Sequence, residues 1–212
     1  MADYTYKLEN DEYVFYEDGK VLTTSDGAVV KTTNEDLAKL LLSDLEQNVG
    51  YMSPATLLTY HYTYCNLLME YTQESLADEF SEYSRAEMLL DDEYLMFHQP
   101  SPIKPAVASF FEKQLAEDYH SYNLYQLAAV LVIHCAFKSW MLSQYIIADI
   151  IIPYSNDEEA DFEAMKEEFL DDLEEFECDE LGWDPEDEAY IQHRQEMSDT
   201  IDAFGYYFML ND

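Results

Sequence analysis

Carboxylates are the reactive groups this chain offers in greatest supply, with 46 Asp and Glu against 10 Lys and Arg. A general acid needs a carboxyl whose pKa burial has raised, whereas an acid on a solvated helix face has the opposite surroundings. Carboxylate pairs fall throughout the sequence, so spacing singles out no dyad for glycosidase or phosphoryl-transfer chemistry. The run Asp184-Pro185-Glu186-Asp187-Glu188 supplies hard oxygen ligands of the kind calcium takes, but not in the spacing of an EF-hand loop. His134 and Cys135 are neighbours in sequence. On a helix adjacent side chains point about 100° apart, which separates them as a nucleophile and base. The histidines His61, His98, His120, His134 and His193 form neither an HExxH nor an HxxxH pair, and no glycine-rich phosphate cradle exists among five glycines. The expectation is a protein that is not an enzyme and holds neither metal nor cofactor.

The charge balance narrows the class further. A formal net charge of −36 and a pI near 4.1 leave no cationic stripe for a phosphate backbone, so nucleic acid is not expected as a partner. An anionic membrane surface is disfavoured for the same reason. Disorder is opposed by a hydrophobic content of 48%, including 19 Tyr and 11 Phe, which is ample material for a core. The longest apolar region, Leu124 to Ile152, is broken by Gln126, His134, Lys138, Gln144 and Asp149. It reads as one or two buried helices ended by Pro153, with no membrane insertion. Cys65, Cys135 and Cys178 are odd in number and dispersed, and Met1-Ala2-Asp3-Tyr4 lacks the basic start of a secretory signal. Both point to a cytoplasmic setting. An anionic field combined with many aromatic side chains suits protein–protein recognition.

The elements divide into two blocks. Over residues 1–33, Tyr4, Tyr6 and Leu8 alternate with polar residues, and the runs Tyr13–Tyr16 and Val21–Thr24 flank Asp18-Gly19. An Asp-Gly step between β-branched and aromatic runs signals a hairpin, and a second, Asp26-Gly27, precedes Ala28-Val29-Val30. The spacing predicts a meander of three or four short strands. From 34 to 212 the pattern is helical. Thr33 with Asp36 resembles a capping box opening a helix through Leu37, Leu40, Leu41 and Leu45. Leu57, Leu58, His61, Tyr64, Cys65, Leu68 and Tyr71 predict a second helix, and Leu76, Phe80, Tyr83 and Met88 predict a third from about Gln73 to Leu90. Pro100, Pro102 and Pro105 mark a loop and a new helix start. Phe162, Met165, Phe169, Leu173 and Phe176 form one apolar stripe on a strongly anionic helix. Between Asp157 and Glu188 stand eighteen acids and a single base, Lys166. The expected fold class is α+β: a small N-terminal β-meander, barrel-like domain (1–33) followed by a larger all-α helical domain (34–212).

Several segments, in order along the chain, resemble the F-type ATP synthase alpha-subunit assembly chaperone family, also called the ATP-twelve family. Val14, Asp18-Gly19, Lys20, Leu22, Thr24, Thr33 and Leu37-Ala38 fall at the spacing of that family's V-x-L-D-G-R hairpin and the helix after it. Pro54-Ala55-Thr56-Leu57-Leu58 is similar to its M-P-L-T-R-L segment without the arginine, and Tyr83 to Leu89 to its Y-A-x-T-D-L-L. Leu181-Gly182-Trp183-Asp184 through Glu188-Ala189, then Arg194 and Ala203-Phe204, resembles its W-G-x-D-x-E-A segment and closing helix. The tryptophan of the family's E-W-x-x-Q signature is absent from Asp44 to Asn48, and the stretch Pro105 to Tyr125 is shorter than the family's. The resemblance implies binding to the unassembled alpha subunit of the catalytic head, with shielding of the surface its beta neighbour later covers. It also implies partner-binding roles for Glu177, Glu180, Trp183 and Asp184.

Charge alone suggests a different reading, an acidic DNA mimic or other inhibitor that fills a basic partner groove. Such a mimic needs carboxylates in two rows at duplex-like spacing, and its competition with DNA should fall steeply with salt.

Overall fold

The computed structural model describes residues 2–47, 53–81, 119–137, 146–156 and 159–210. A small N-terminal antiparallel sheet of four strands precedes a larger helical region, an α+β arrangement. Strand β1 (Tyr4–Glu9) pairs with β2 (Glu12–Glu17) across Asn10-Asp11, both at positive φ (51° and 67°). Two successive left-handed residues make the turn whose twist matches paired strands. The expected hairpin at Asp18-Gly19 has the same geometry, with φ of 49° and 76°, and leads into β3 (Lys20–Val21). Gly27, at φ 93°, closes the third turn, where Thr24 N–H donates to Ala28 O at 2.8 Å. The chain returns to pair β4 (Lys31–Thr32) with Tyr13 and Val14 of β2. One edge of β2 is thus shared, its C-terminal end by β3 and its N-terminal end by β4. Phe15, at the branch point, is fully buried.

Helix α1 (Glu35–Glu46) is capped by Asn34, whose Oδ1 accepts from Leu37 N at 3.0 Å. The cap falls one residue beyond Thr33, because Thr32 Oγ1 accepts from Asn34 N and holds Asn34 extended at the helix mouth. Leu37, Leu41 and Leu45 are buried as their spacing predicts, joined by Ala38, while Leu40 turns to solvent. Helix α2 (Leu57–Glu70) buries Tyr60, His61, Cys65 and Leu67, while Leu68 is exposed. Residues 73–81 form α3, with Leu76 and Phe80 buried. Tyr83, Met88 and the three prolines 100, 102 and 105 lie outside the described residues.

Helix α4 (Leu124–Phe137) is apolar on nearly every side, and Leu127, Ala128, Ala129, Val130 and Ile133 are all fully buried. It packs against α2 and, from its other side, the final helix. Pro153 does not end the next helix. A π turn over Ile147–Ile151 leads directly into α5 (Ile152–Asn156), with Ile152 N–H reaching Ile147 O. In regular α geometry the proline ring would strike the carbonyl of Asp149, and the widened turn immediately before it makes room. Helices α6 (Phe162–Leu181) and α7 (Glu188–Phe208) form a helical hairpin. Phe15, Leu37, Tyr60, Leu127, Ile147, Phe169 and Phe204 belong to one apolar cluster that runs from the sheet to the hairpin.

Where sheet and helices meet, one polar group is fully buried. His61 Nε2 lies 2.9 Å from Lys31 O, and Nδ1 lies 3.0 Å from the Tyr207 hydroxyl. A carbonyl can only accept, so Nε2 carries the proton and Nδ1 accepts from Tyr207. Around it Tyr60 stacks on Tyr207 and Tyr64 on Tyr125, with ring centroids 5.6 and 4.2 Å apart. Burial lowers the His61 pKa to about 4 and pushes the Cys65 thiol up to about 11, so both groups are neutral in the fold at pH 7.

Candidate functional site

The segment singled out by the resemblance forms the tip of the α6–α7 hairpin. Helix α6 stops at Gly182, whose φ of 73° and ψ of 27° lie in the left-handed region that glycine adopts without a Cβ penalty. The amides of Gly182 and Trp183 both turn back to Glu177 O. Asp184 then shapes the reversal, its Oδ1 accepting from Glu186 N and its carbonyl from Asp187 N, each at 3.0 Å. Asp187 in turn caps α7 by accepting from Ala189 N at 2.8 Å. Of the acids that sequence alone offers as cation ligands, Asp184 and Asp187 thus each spend a carboxylate oxygen on a backbone amide. Among the described residues no group of three or more His, Cys, Asp or Glu is placed to hold a metal ion.

This turn brings Glu177 and Trp183 together with two residues that sequence reasoning missed. Tyr190 donates its hydroxyl to Glu177 Oε2 at 3.1 Å, and His193 Nε2 lies 3.3 Å from Glu177 Oε1. Trp183 stacks almost parallel to His193, centroids 5.9 Å apart and planes 9° apart, and leans on Tyr190 at 5.7 Å. Burial and the adjacent Glu177 charge both raise the Tyr190 pKa, so its hydroxyl stays protonated and can donate. Tyr190 and His193 are spaced three apart in the first turns of α7, which aims both at the end of α6. Asp184 is fixed in the turn without joining this cluster, and the Glu180 side chain lies outside the described residues. The result is a preset aromatic platform: Trp183 remains 42% exposed and Ile191, on the same tip, 57% exposed.

Two cations tie the hairpin together along its length. Arg194 of α7 reaches Glu167, Asp171 and Glu174 of α6 at 3.0, 2.7 and 3.2 Å and also donates to Leu170 O. Lys166, nearly fully buried, bonds Glu163 and Asp202 at 2.8 and 2.6 Å. The carboxylates on Arg194 recur at i, i+4 and i+7, so one acidic row of α6 is spent internally. Glu168, Asp172, Glu175 and Asp179 form a second row that is exposed to solvent. Replacing Arg194 by methionine leaves three carboxylates converging without a counter-charge. The expected loss is about 1–2 kcal/mol at low ionic strength, discounted for the exposure of the acids, and it should shrink in molar potassium chloride. Urea unfolding at two salt concentrations measures both numbers.

No protein-family model, curated protein or solved structure matches this chain. Among the described residues no helix is long and apolar enough to cross a membrane.

Proposed function

We propose that the protein is an assembly chaperone that binds the unassembled alpha subunit of an ATP synthase catalytic head and shields its subunit interface, without catalysis or cofactor. The observation that carries this reading is the hairpin tip. A tryptophan is held half-exposed by stacking on His193, at the position where the chaperone-like W-G segment falls. A small sheet followed by a larger helical region is also the architecture that the resemblance implies. An exposed aromatic anchor supplies binding area at low entropic cost, and the surrounding acids keep a complex with an aggregation-prone surface in solution.

Affinity capture with isolated alpha subunit from the same cell tests the proposal. Recovery is expected at low and moderate salt, and Trp183→Ala should weaken it at least about tenfold, as loss of an aromatic hot spot does. Thermal unfolding should be nearly unchanged, because Trp183 packs at the tip and outside the main core. No recovery at either salt concentration would overturn the reading. The exposed row Glu168, Asp172, Glu175 and Asp179 is the feature that favours a nucleic-acid mimic. That alternative predicts displacement of DNA from a basic enzyme, falling steeply as salt rises.

A further inference from the structure

At the opposite end of the hairpin from Trp183, about 30 Å away along the 20 residues of α6, lies an open cleft of about 640 Å³. Its walls come from α5, the start of α6 and the end of α7. Tyr154 meets the Phe162 ring edge-on at 5.2 Å, and the Phe162 ring sits against Gly205, so the floor is aromatic and closely seated. Tyr206 and Met209 flank this floor and are 37% and 36% exposed. Asp161, Glu163 and Asp202 form the polar part of the lining.

Each of these three acids uses one oxygen internally. Asp161 Oδ1 accepts from Ala164 N, while Glu163 Oε2 and Asp202 Oδ1 hold Lys166. The second oxygen of each accepts nothing among the described residues. Three carboxylates and one lysine leave the cleft net negative, and Asp36 of α1 adds a further charge on the Tyr206 side. Aromatic faces next to free carboxylate oxygens match one side chain in particular. A guanidinium stacks on the ring and forks to the acid, while an aliphatic neighbour fills the space beside Met209. A second copy of this chain is a poor occupant, because each copy carries a net charge of −36.

We infer that this cleft is a second docking site, for a basic segment of a protein partner that presents arginine beside an aliphatic residue. The inference goes beyond the chaperone reading and holds for any client that carries such a segment.

The test uses the full-length protein and three short fluorescent peptides, built from arginine with leucine, arginine with serine, and glutamate with leucine. The arginine–leucine peptide is expected to bind more tightly than both others. Tyr206→Ser combined with Met209→Ser should weaken it by about tenfold or more, whereas Glu168→Gln combined with Glu175→Gln, outside the cleft, should change it by less than about twofold. If the cleft variant loses its fold, a photo-crosslinking residue at position 206 of the otherwise intact protein should capture the peptide, and one at position 168 should not. Equal binding of the arginine–serine peptide, equal weakening by both variant pairs, equal crosslinking from both positions, or no binding at all would overturn the inference. None of these readouts involves the alpha subunit or Trp183, so the two proposals fail independently.

Discussion

Replacing Gly205 by valine is expected to lower the stability of the protein by about 3 kcal/mol, at the upper end of what overpacking costs. Gly205 lies in the last turn of α7, still within the helix, where glycine ordinarily weakens a helix by up to about 1 kcal/mol relative to alanine. Its backbone is helical, so the reason for glycine is space. A Cβ built there would stand 2.9 Å from Phe162 Cζ, 3.0 Å from Phe162 Cε2 and 3.3 Å from Ile151 Cδ1. The ring cannot retreat freely, because Tyr154 packs on it and Lys166 Nζ lies 5.9 Å from its centroid. Alanine meets the same 2.9 Å contact and should also destabilise, but by less than valine, since its better helix propensity offsets part of the cost of shifting the ring. Valine adds two methyl groups on a stiff side chain and must push α6 away from α7. Phe162→Leu in the valine background should restore part of the loss, giving a coupling energy that chemical denaturation of the four proteins reads directly. A valine variant with wild-type stability would show that the two helices separate at no cost.

Acidification should destabilise the protein through His61. The folded-state pKa of about 4 lies below the ordinary value of 6.5. Above pH 6.5 the ring is neutral in both states and nothing is lost. Between pH 6.5 and about 4 the unfolded chain takes up a proton that the folded chain refuses, so stability falls with pH, by about 3 kcal/mol in all. Among the described residues no charged side chain is placed to compensate an imidazolium there. The ring faces the Lys31 carbonyl from β4, the Tyr207 hydroxyl from α7 and the Tyr64 ring from α2, and the Lys31 ammonium points away to Glu12. Glutamine at position 61 offers one donor and one acceptor but does not titrate. His61→Gln should therefore be less stable than wild type at pH 7.5, and the gap should close by about 3 kcal/mol at pH 4. The many carboxylates contribute equally to both proteins and cancel in the difference. A gap that stays constant across this range would mean that the ring takes up its proton equally in the folded and unfolded states, which overturns the prediction.

Much of the fold can be read from the sequence because its signals are local. Asp18-Gly19 and Asp26-Gly27 announce their turns, since glycine at positive φ leaves few alternatives, and the leucines of α1 show their face by spacing. Asn10-Asp11 makes an equally tight turn without a glycine, and two polar residues in a row read as ordinary loop. Thr33 and Asn34 are both good capping residues, and the choice between them rests on the Thr32 hydroxyl. Pro153 looks like a helix stop because sequence gives no warning that a π turn will accommodate it. Leu68 belongs to the apolar repeat of α2 yet is 43% exposed.

At the candidate site, Glu177 and Trp183 were suggested by likeness to a family motif and not by their own chemistry. Tyr190 and His193 could not be, because their nearness to Glu177 depends on how Gly182 reverses the chain. The cleft beside Phe162 is further still from local rules, since its walls come from three helices.

The bond between His61 and Tyr207 spans 146 residues, and Tyr60 donates to Thr200 O across 140. At ribosomal speeds of about 5–20 residues per second, α2 is made roughly 7–30 s before the helix that completes its surroundings. During that interval Tyr60 and His61 lack the α7 groups that bond them in the finished fold. The densest acids, from Asp157 to Glu188, are made only late in that interval, so until then repulsion between half-built copies rests on the sparser acids that precede them.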